Sequence, residues 1–347
     1  MGRVHTMPLS GAIDIVLRDY LCVAPGQVVL VTLDDEGDRR LADGFLAACE
    51  TIRAKPAVMI IPRLPFQGKL ADSHIADTLA AAAKACDVWI DLTFPYLAGS
   101  QVHADAMEAG RARYILLGDI GIAGLRRVFG TASLDRLFAV QQSLDIAVAS
   151  AIGKLCHVRT SKGTDVRFAI AKPATKKPRH GNQPGTYTVP GSTVIYPEPD
   201  SVVGTIVVES AFHEFYGPIA EPMILRVDGL IREVSGGGGH RRIMDRALRR
   251  AGSGEYGRVI HFSHGFHPQA RFTGQSFIED IRAVGSNAIG LGIPWWQPGG
   301  GENHPDAVIT TQSLWVDDVQ LIADGELVHP PALRDLEKAL YRAESAA

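Results

Sequence analysis

The sequence predicts an α/β protein, in which an N-terminal parallel-sheet domain is followed by a β-rich α+β domain. Three observations carry that expectation. In the first 150 residues, four short continuous apolar runs alternate with helical stretches. Strands covered on both faces read this way, and the alternation marks βαβ units. Beyond residue 150 the pattern changes to paired strand-like runs with few helices. A chain of 347 residues exceeds one average domain, and we divide it into 1–150 and 151–347, the second carrying the chemistry.

Taken in order, residues 11–24 are helical and amphipathic, and "VVLVTLDD" (28–35) is a buried strand. A helix over 39–54, strand "PAVMIIP" (56–62), helix 77–86, strand "VWIDLTF" (88–94), helix 101–110 and strand "RYILLGD" (113–119) complete the first set. A long helix covers 134–155. Next, "HVRTSKGTDVRFAIA" (157–171) reads as two strands about a Lys-Gly turn, and "STVIYPEPDSVVGTIVVES" as two more. The intervening "KPATKKPRHGNQPGTY" is rich in Pro, Gly and charge and predicts a long exposed loop. The glycines at 236–239 lead into a helix over 240–251; no Lys-Ser/Thr pair follows them, which argues against a nucleotide phosphate loop.

The net charge is −3 and no basic run exceeds a few residues, so neither nucleic acid nor an anionic membrane is an expected partner. Asp14, Arg18 and Asp19 interrupt the apolar part of the first 25 residues, which excludes a signal peptide or a membrane span there and predicts a cytoplasmic protein. Cys22, Cys49, Cys86 and Cys156 form no CxxC, and their apolar surroundings predict buried thiols in a reducing compartment.

Nine of the twelve histidines lie beyond residue 156. His261, His264 and His267 recur at intervals of three within "VIHFSHGFHPQARF" (259–272), and His304 and Asp306 flank Pro305 just after glycines 299–301. In an extended segment, residues i and i+2 point the same way, and Pro305 marks an edge or a strand entry. Two neutral imidazoles and a carboxylate on one face of an octahedron make the ligand set of a mononuclear ferrous site, with adjacent positions open for a chelating substrate and dioxygen. A turn that merely contains both residues is the other reading. His103 and Asp105 repeat the His-x-Asp spacing in a helical stretch, where i and i+2 diverge, and are read as a solvated helix face.

The blocks "PGSTVIYPEPDSVVGTIVVE", "VIHFSHGFHPQARFT" and "ENHPDAV" resemble, in this order, the 2,5-dihydroxypyridine 5,6-dioxygenases, ferrous enzymes with the fold of the aminopeptidase T metallopeptidases. The layout is similar over nearly the whole chain. The resemblance implies Fe(2+) as cofactor, a small hydroxylated heteroaromatic or aromatic substrate with dioxygen, and a homo-oligomer. Ligand positions separate the two branches. Ser192 or Thr193 stands where the two-metal aminopeptidases have a glutamate, His261 replaces their second glutamate, and Ala288 replaces their histidine. Loss of a carboxylate and a histidine leaves too few ligands for two ions, so the resemblance implies His261, His304 and Asp306 as the ligands of one.

It implies further roles. His264 or His267 would serve as acid/base, because Leu97 fills the position of the family's histidine in "IDLTFPYLAG"; the serine the family keeps near the metal falls on Gly290 or Leu291. Arg271 is a candidate to hold a carboxylate or ring oxygen through its planar fork, and Trp295 or Trp296 to stack on a flat ring. Leu97 would line the substrate pocket. His213, His240 and Glu209 are candidates to support the ligands. Two other classes remain alternatives: an aminopeptidase T-like metal-dependent hydrolase, and a non-catalytic member that binds a small ligand.

Overall fold

The computed structural model describes residues 7–130, 133–173, 180–294, 297, 305–329, 331, 334 and 335. It divides into two compact units. One takes the chain to Leu134 and regains Lys176–Val189; the other takes Asp135–Thr175 and everything from Pro190 to Ala346. The sequence-based boundary at 150 therefore moves to the start of the long helix.

The first unit is built on a wholly parallel sheet. β1 (Val28–Asp34) lies between β2 (Lys55–Ile61) and β3 (Val88–Asp91), and β4 (Arg113–Leu116) follows β3. Its helices are α1 (Leu9–Asp14), α2 (Arg39–Ile52), α3 (Asp77–Ala85), α4 (Gln101–Glu108) and α5 (Ile122–Gly130). α1 runs into a π-helical turn over Ile15–Tyr20, so the first helical stretch ends earlier than its periodicity predicts. At the start of α2 the Asp38 carboxylate accepts from the Arg40 backbone N–H, and Arg53, at φ 63°, ends the helix.

The core of this unit gathers Leu30, Trp89, Leu97 and Tyr114. Beside it Asp91, fully buried, accepts hydrogen bonds from Thr32 Oγ1 (3.0 Å), Thr93 Oγ1 (2.6 Å), Tyr114 Oη (2.5 Å) and the Leu97 N–H (2.9 Å). Burial pushes its carboxyl pKa up while these donors pull it back. The network fixes the chain leaving β3. His103 is not on a solvated face as its helical setting predicts: its Nε2 meets Thr186 Oγ1 at 3.0 Å, and its ring lies edge-on to Tyr114.

The Pro- and Gly-rich stretch predicted as loop ends in a strand. After β5 (Leu155–Arg159) and β6 (Asp165–Ala169) of the other unit, β7 (Gly185–Thr188) returns to pair in parallel with β4. Tyr20 Oη donates to Thr188 O, and the Arg113 guanidinium donates to the carbonyls of Leu21, Cys22 and Gly181, which ties the returning segment to the first helical stretch.

The second unit holds one antiparallel sheet of twelve strands. Its remaining strands are β8 (Ser192–Ile195), β9 (Val203–Phe212), β10 (Tyr216–Asp228), β11 (Leu230–Gly236), β12 (Arg258–Gly265), β13 (Asn287–Gly292), β14 (Asp306–Ile309), β15 (Ser313–Val316), β16 (Val319–Ala323) and β17 (Glu326–Leu327). The run β9-β14-β13-β12-β8 forms one side, and β10 pairs with β9 and β11. α6 (Leu134–Ser150) belongs here because its polar side chains engage β8: Gln141 donates to Ser192 O at 2.7 Å, and Asp145 accepts from Thr193 Oγ1 at 2.8 Å. Gly236, Gly237 and Gly238, all at positive φ, turn β11 into α7 (Gly238–Ala251), the lead-in that the glycine run predicts. α8 (Phe277–Asp280) is a single turn.

All four cysteines are free, but Cys22 is exposed, against the expectation of burial; the other three are buried. No helix among the described residues is long and apolar enough to cross a membrane.

Candidate metal centre

Strand register brings two of the predicted ligands together. β12 pairs with β13 so that His261 faces Gly290, β13 pairs with β14 so that Gly290 faces Asp306, and β14 pairs with β9 so that Asp306 faces Phe212. Residues directly opposite one another on neighbouring strands share a face. His261 and Asp306 therefore rise from the same side of the sheet with a glycine between them. They lean toward each other across it, Nε2 to Oδ1 being 3.9 Å, with side chains 13% and 4% exposed.

That separation suits one ion. Two metal–ligand bonds of about 2.0–2.2 Å meeting at an open angle would reach both donors. A neutral imidazole and a carboxylate, both largely withdrawn from water, match a divalent transition metal in donor type. Among the described residues no third His, Cys, Asp or Glu joins them. His304 lies outside the described residues, as do Trp295 and Trp296. The Leu291 N–H donates to Pro305 O at 2.9 Å, so Pro305 is a strand entry, as predicted; β14, however, lies between β13 and β9 and is not an edge.

Aromatic side chains wall the pair. Tyr196, buried, presents its ring to His261 edge-on at 6.4 Å. Beside Asp306, Phe212 meets Phe277 at 5.1 Å, and Tyr216 meets Phe277 at 5.5 Å. Asp280 secures the segment ahead of α8: it accepts from the Thr273 N–H, Thr273 Oγ1, the Gly274 N–H and Tyr216 Oη, all within 2.6–2.8 Å.

One of the two histidines expected to move protons is placed elsewhere. His264 is three residues after His261 on a strand, hence on the opposite face. There Gln312 Nε2 donates to its Nδ1 at 2.6 Å, and Asn287 Nδ2 donates to Gln312 Oε1 at 2.7 Å. Burial pushes its pKa down to about 4, so it is a neutral core histidine at ordinary pH. His267, fully buried, accepts from the backbone N–H groups of Gln269 and Ala270 through Nδ1. It packs on Gly191, where a Cβ would come within 2.6 Å of the His267 Cβ. These contacts order the loop that follows β12.

Leu97 has its side chain in the core of the first unit, and its N–H is held by Asp91. Arg271 is exposed, with its backbone N–H donating to Glu279 Oε1. His213 and His240 contact each other, Nε2 to Nδ1 at 3.1 Å, and Glu209 is engaged by Thr310 and Lys162. At two positions where the resemblance implies ligands in the aminopeptidases, Thr193 is committed to Asp145 and Ala288 is a buried apolar residue. The sequence leaves Gly290 and Leu291 as alternatives and does not single out Tyr196. Register distinguishes the first two, since only Gly290 pairs with both His261 and Asp306.

The NicX family model, 2,5-dihydroxypyridine 5,6-dioxygenase, matches residues 19–329. The chain belongs to that family. Its activity is accordingly that of a ring-cleaving dioxygenase on a dihydroxypyridine. In fold, this dioxygenase is similar to 2,5-dihydroxypyridine dioxygenase from Pseudomonas putida KT2440, at 21% identity and a TM-score of 0.73 over 94% of this chain and 98% of that one. It is also similar to wild-type AmpT from Thermus thermophilus, at 13% identity and a TM-score of 0.65 over 92% and 98%. No curated protein matches it significantly in sequence.

Proposed function

We propose that this dioxygenase is a mononuclear Fe(2+) enzyme that opens a hydroxylated N-heteroaromatic ring in the extradiol manner, with His261, Asp306 and His304 as ligands. The convergence of His261 and Asp306 to 3.9 Å over Gly290, in a family member, carries the reading. When bound, the ion supplies the redox centre that couples an electron-rich ring to dioxygen. The protein's share is positional. The imidazole and carboxylate fix the side of the sheet to which the ring hydroxyl is drawn, and one negative charge in the ligand set leaves net positive charge to favour the deprotonated hydroxyl. Tyr196, Phe212 and Phe277 keep bulk water from the buried carboxylate and offer flat apolar walls for a ring. Arg271 and the Trp295–Trp296 pair remain our candidates for substrate contacts.

The test is anaerobic purification, metal analysis, and oxygen uptake with 2,5-dihydroxypyridine. The expected result is iron equimolar with chain and oxygen consumed stoichiometrically with ring absorbance lost. Two zinc or cobalt ions with peptide turnover would overturn it in favour of a hydrolase.

A further inference from the structure

The two donors stand on β12 and β14, so their spacing depends on the register that both strands keep with β13 between them. β13 itself carries little to set a register. Every residue of Asn287–Gly292 is buried and two of the six are glycine, so the alternation of apolar and polar faces that pins a half-exposed strand is missing. A shift of two residues would preserve the faces and still carry Asp306 about 7 Å along its strand, out of reach of His261.

One polar cluster interrupts this apolar region. On the face away from the donors, His264 of β12 lies directly opposite Asn287 of β13. Gln312, just beyond β14, joins them: its Nε2 donates to His264 Nδ1 at 2.6 Å, and its Oε1 accepts from Asn287 Nδ2 at 2.7 Å. All three residues are at most 1% exposed, and the Gln312 carbonyl is fixed in turn by the Gly325 N–H at 2.7 Å. Stability does not account for the cluster. Buried hydrogen bonds return little more than desolvation takes, and apolar groups of the same shape would hold the sheet about as well; His264 Nε2 and Asn287 Oδ1, moreover, meet no partner among the described residues. What the cluster supplies is a single alignment, because its bonds form in one register of the three strands.

We propose that His264, Asn287 and Gln312 are positioning residues: from the far face of the sheet they lock the register of β12, β13 and β14, and thereby hold His261 and Asp306 at the separation one metal ion needs. This rests on the functional reading above. The three act through the backbone of the strands that carry the donors, and so set the geometry of the site from the side opposite to it.

The experiment compares wild type with three variants. One replaces the whole cluster by apolar groups, His264→Leu with Asn287→Leu and Gln312→Met; the second, Gln312→Met alone, removes both hydrogen bonds; the third, Ile309→Val, trims the cross-strand neighbour of Asn287 without touching the cluster. Urea unfolding reports the fold, and Co2+ titration followed by visible absorption reports the affinity and ligand field of the site. The expected result for the triple variant is a cooperative transition with a midpoint near that of wild type, while its Kd for Co2+ rises at least tenfold and the absorption bands shift. Gln312→Met shows the same change toward Co2+, and Ile309→Val keeps the wild-type spectrum and affinity. Wild-type Co2+ binding in a folded triple variant overturns the proposal and leaves the functional reading standing. An equal loss of affinity in Ile309→Val also overturns it, because the site then answers to any weakened packing. Failure of both cluster variants to fold does so too, since the cluster then serves the fold and not the donors. A wild-type protein that binds neither iron nor Co2+ overturns the functional reading, and this proposal with it.

Discussion

At the scale of single residues, the two donors differ from the histidines around them by their face of the sheet. His261→Ala and Asp306→Ala each remove one atom from the converging pair, and we expect both to abolish iron retention with little change in far-UV circular dichroism. Iron at the wild-type level in both variants contradicts the assignment. That His261 and Asp306 are candidate donors was legible in the sequence, because imidazole and carboxylate are rare in apolar runs unless they do something. The placement of His264 was not. An interval of three reads as one side of a loop or helix, but over Arg258–Gly265 the chain is a strand, where an odd interval reverses the face. Position in a motif likewise says nothing of whether a side chain lies in a core, as that of Leu97 does.

At the scale of elements, one carboxylate organises the segment between β12 and β13. Asp280 is fully buried, and its four hydrogen bonds, from Tyr216 and from the backbone and hydroxyl of the Thr273–Gly274 turn, have no replacement if it is truncated. Leaving donors unmet costs about 1–3 kcal/mol per group where they are buried and less where, as here, they are partly exposed, so we expect Asp280→Ala to lower stability by ~2 kcal/mol in urea unfolding, with faster hydrogen exchange across residues 266–276. Exchange unchanged there would mean that the loop is held by other contacts. The alternation of strand and helix to residue 119 was readable because parallel strands are continuous apolar runs and each is local. β7 escaped for want of any such signal: "GTYT" is short and polar, and what makes it a strand is β4, some seventy positions earlier in the chain. Non-local pairing leaves no periodicity to read. The same holds for the pairing of β12, β13 and β14, which decides the site and is invisible until the register is known.

At the scale of the whole molecule, buried neutral imidazoles in both units set a common response to acid. His103 in the first unit, and His213 and His264 in the second, have pKa values pushed down to about 4, in each case chiefly by burial. An unfolded chain restores them to roughly 6.5. Between these values the unfolded state binds more protons than the folded one, so stability rises with pH across that window. The contribution is fully present above about pH 6.5 and is lost as pH falls toward about 4. For His213 and His264, which are 2% and 1% exposed, each is worth at most roughly 3 kcal/mol, the free-energy equivalent of the shift. We therefore expect the urea midpoint, measured with chelator present, to fall steadily from pH 6.5 to pH 4.5. His264→Gln removes one titrating group and should shallow that slope even where it lowers stability at pH 7. A midpoint independent of pH, or an unaltered slope in His264→Gln, would show that these imidazoles are protonated in the folded protein and that His264 is not the neutral partner of Gln312 described above.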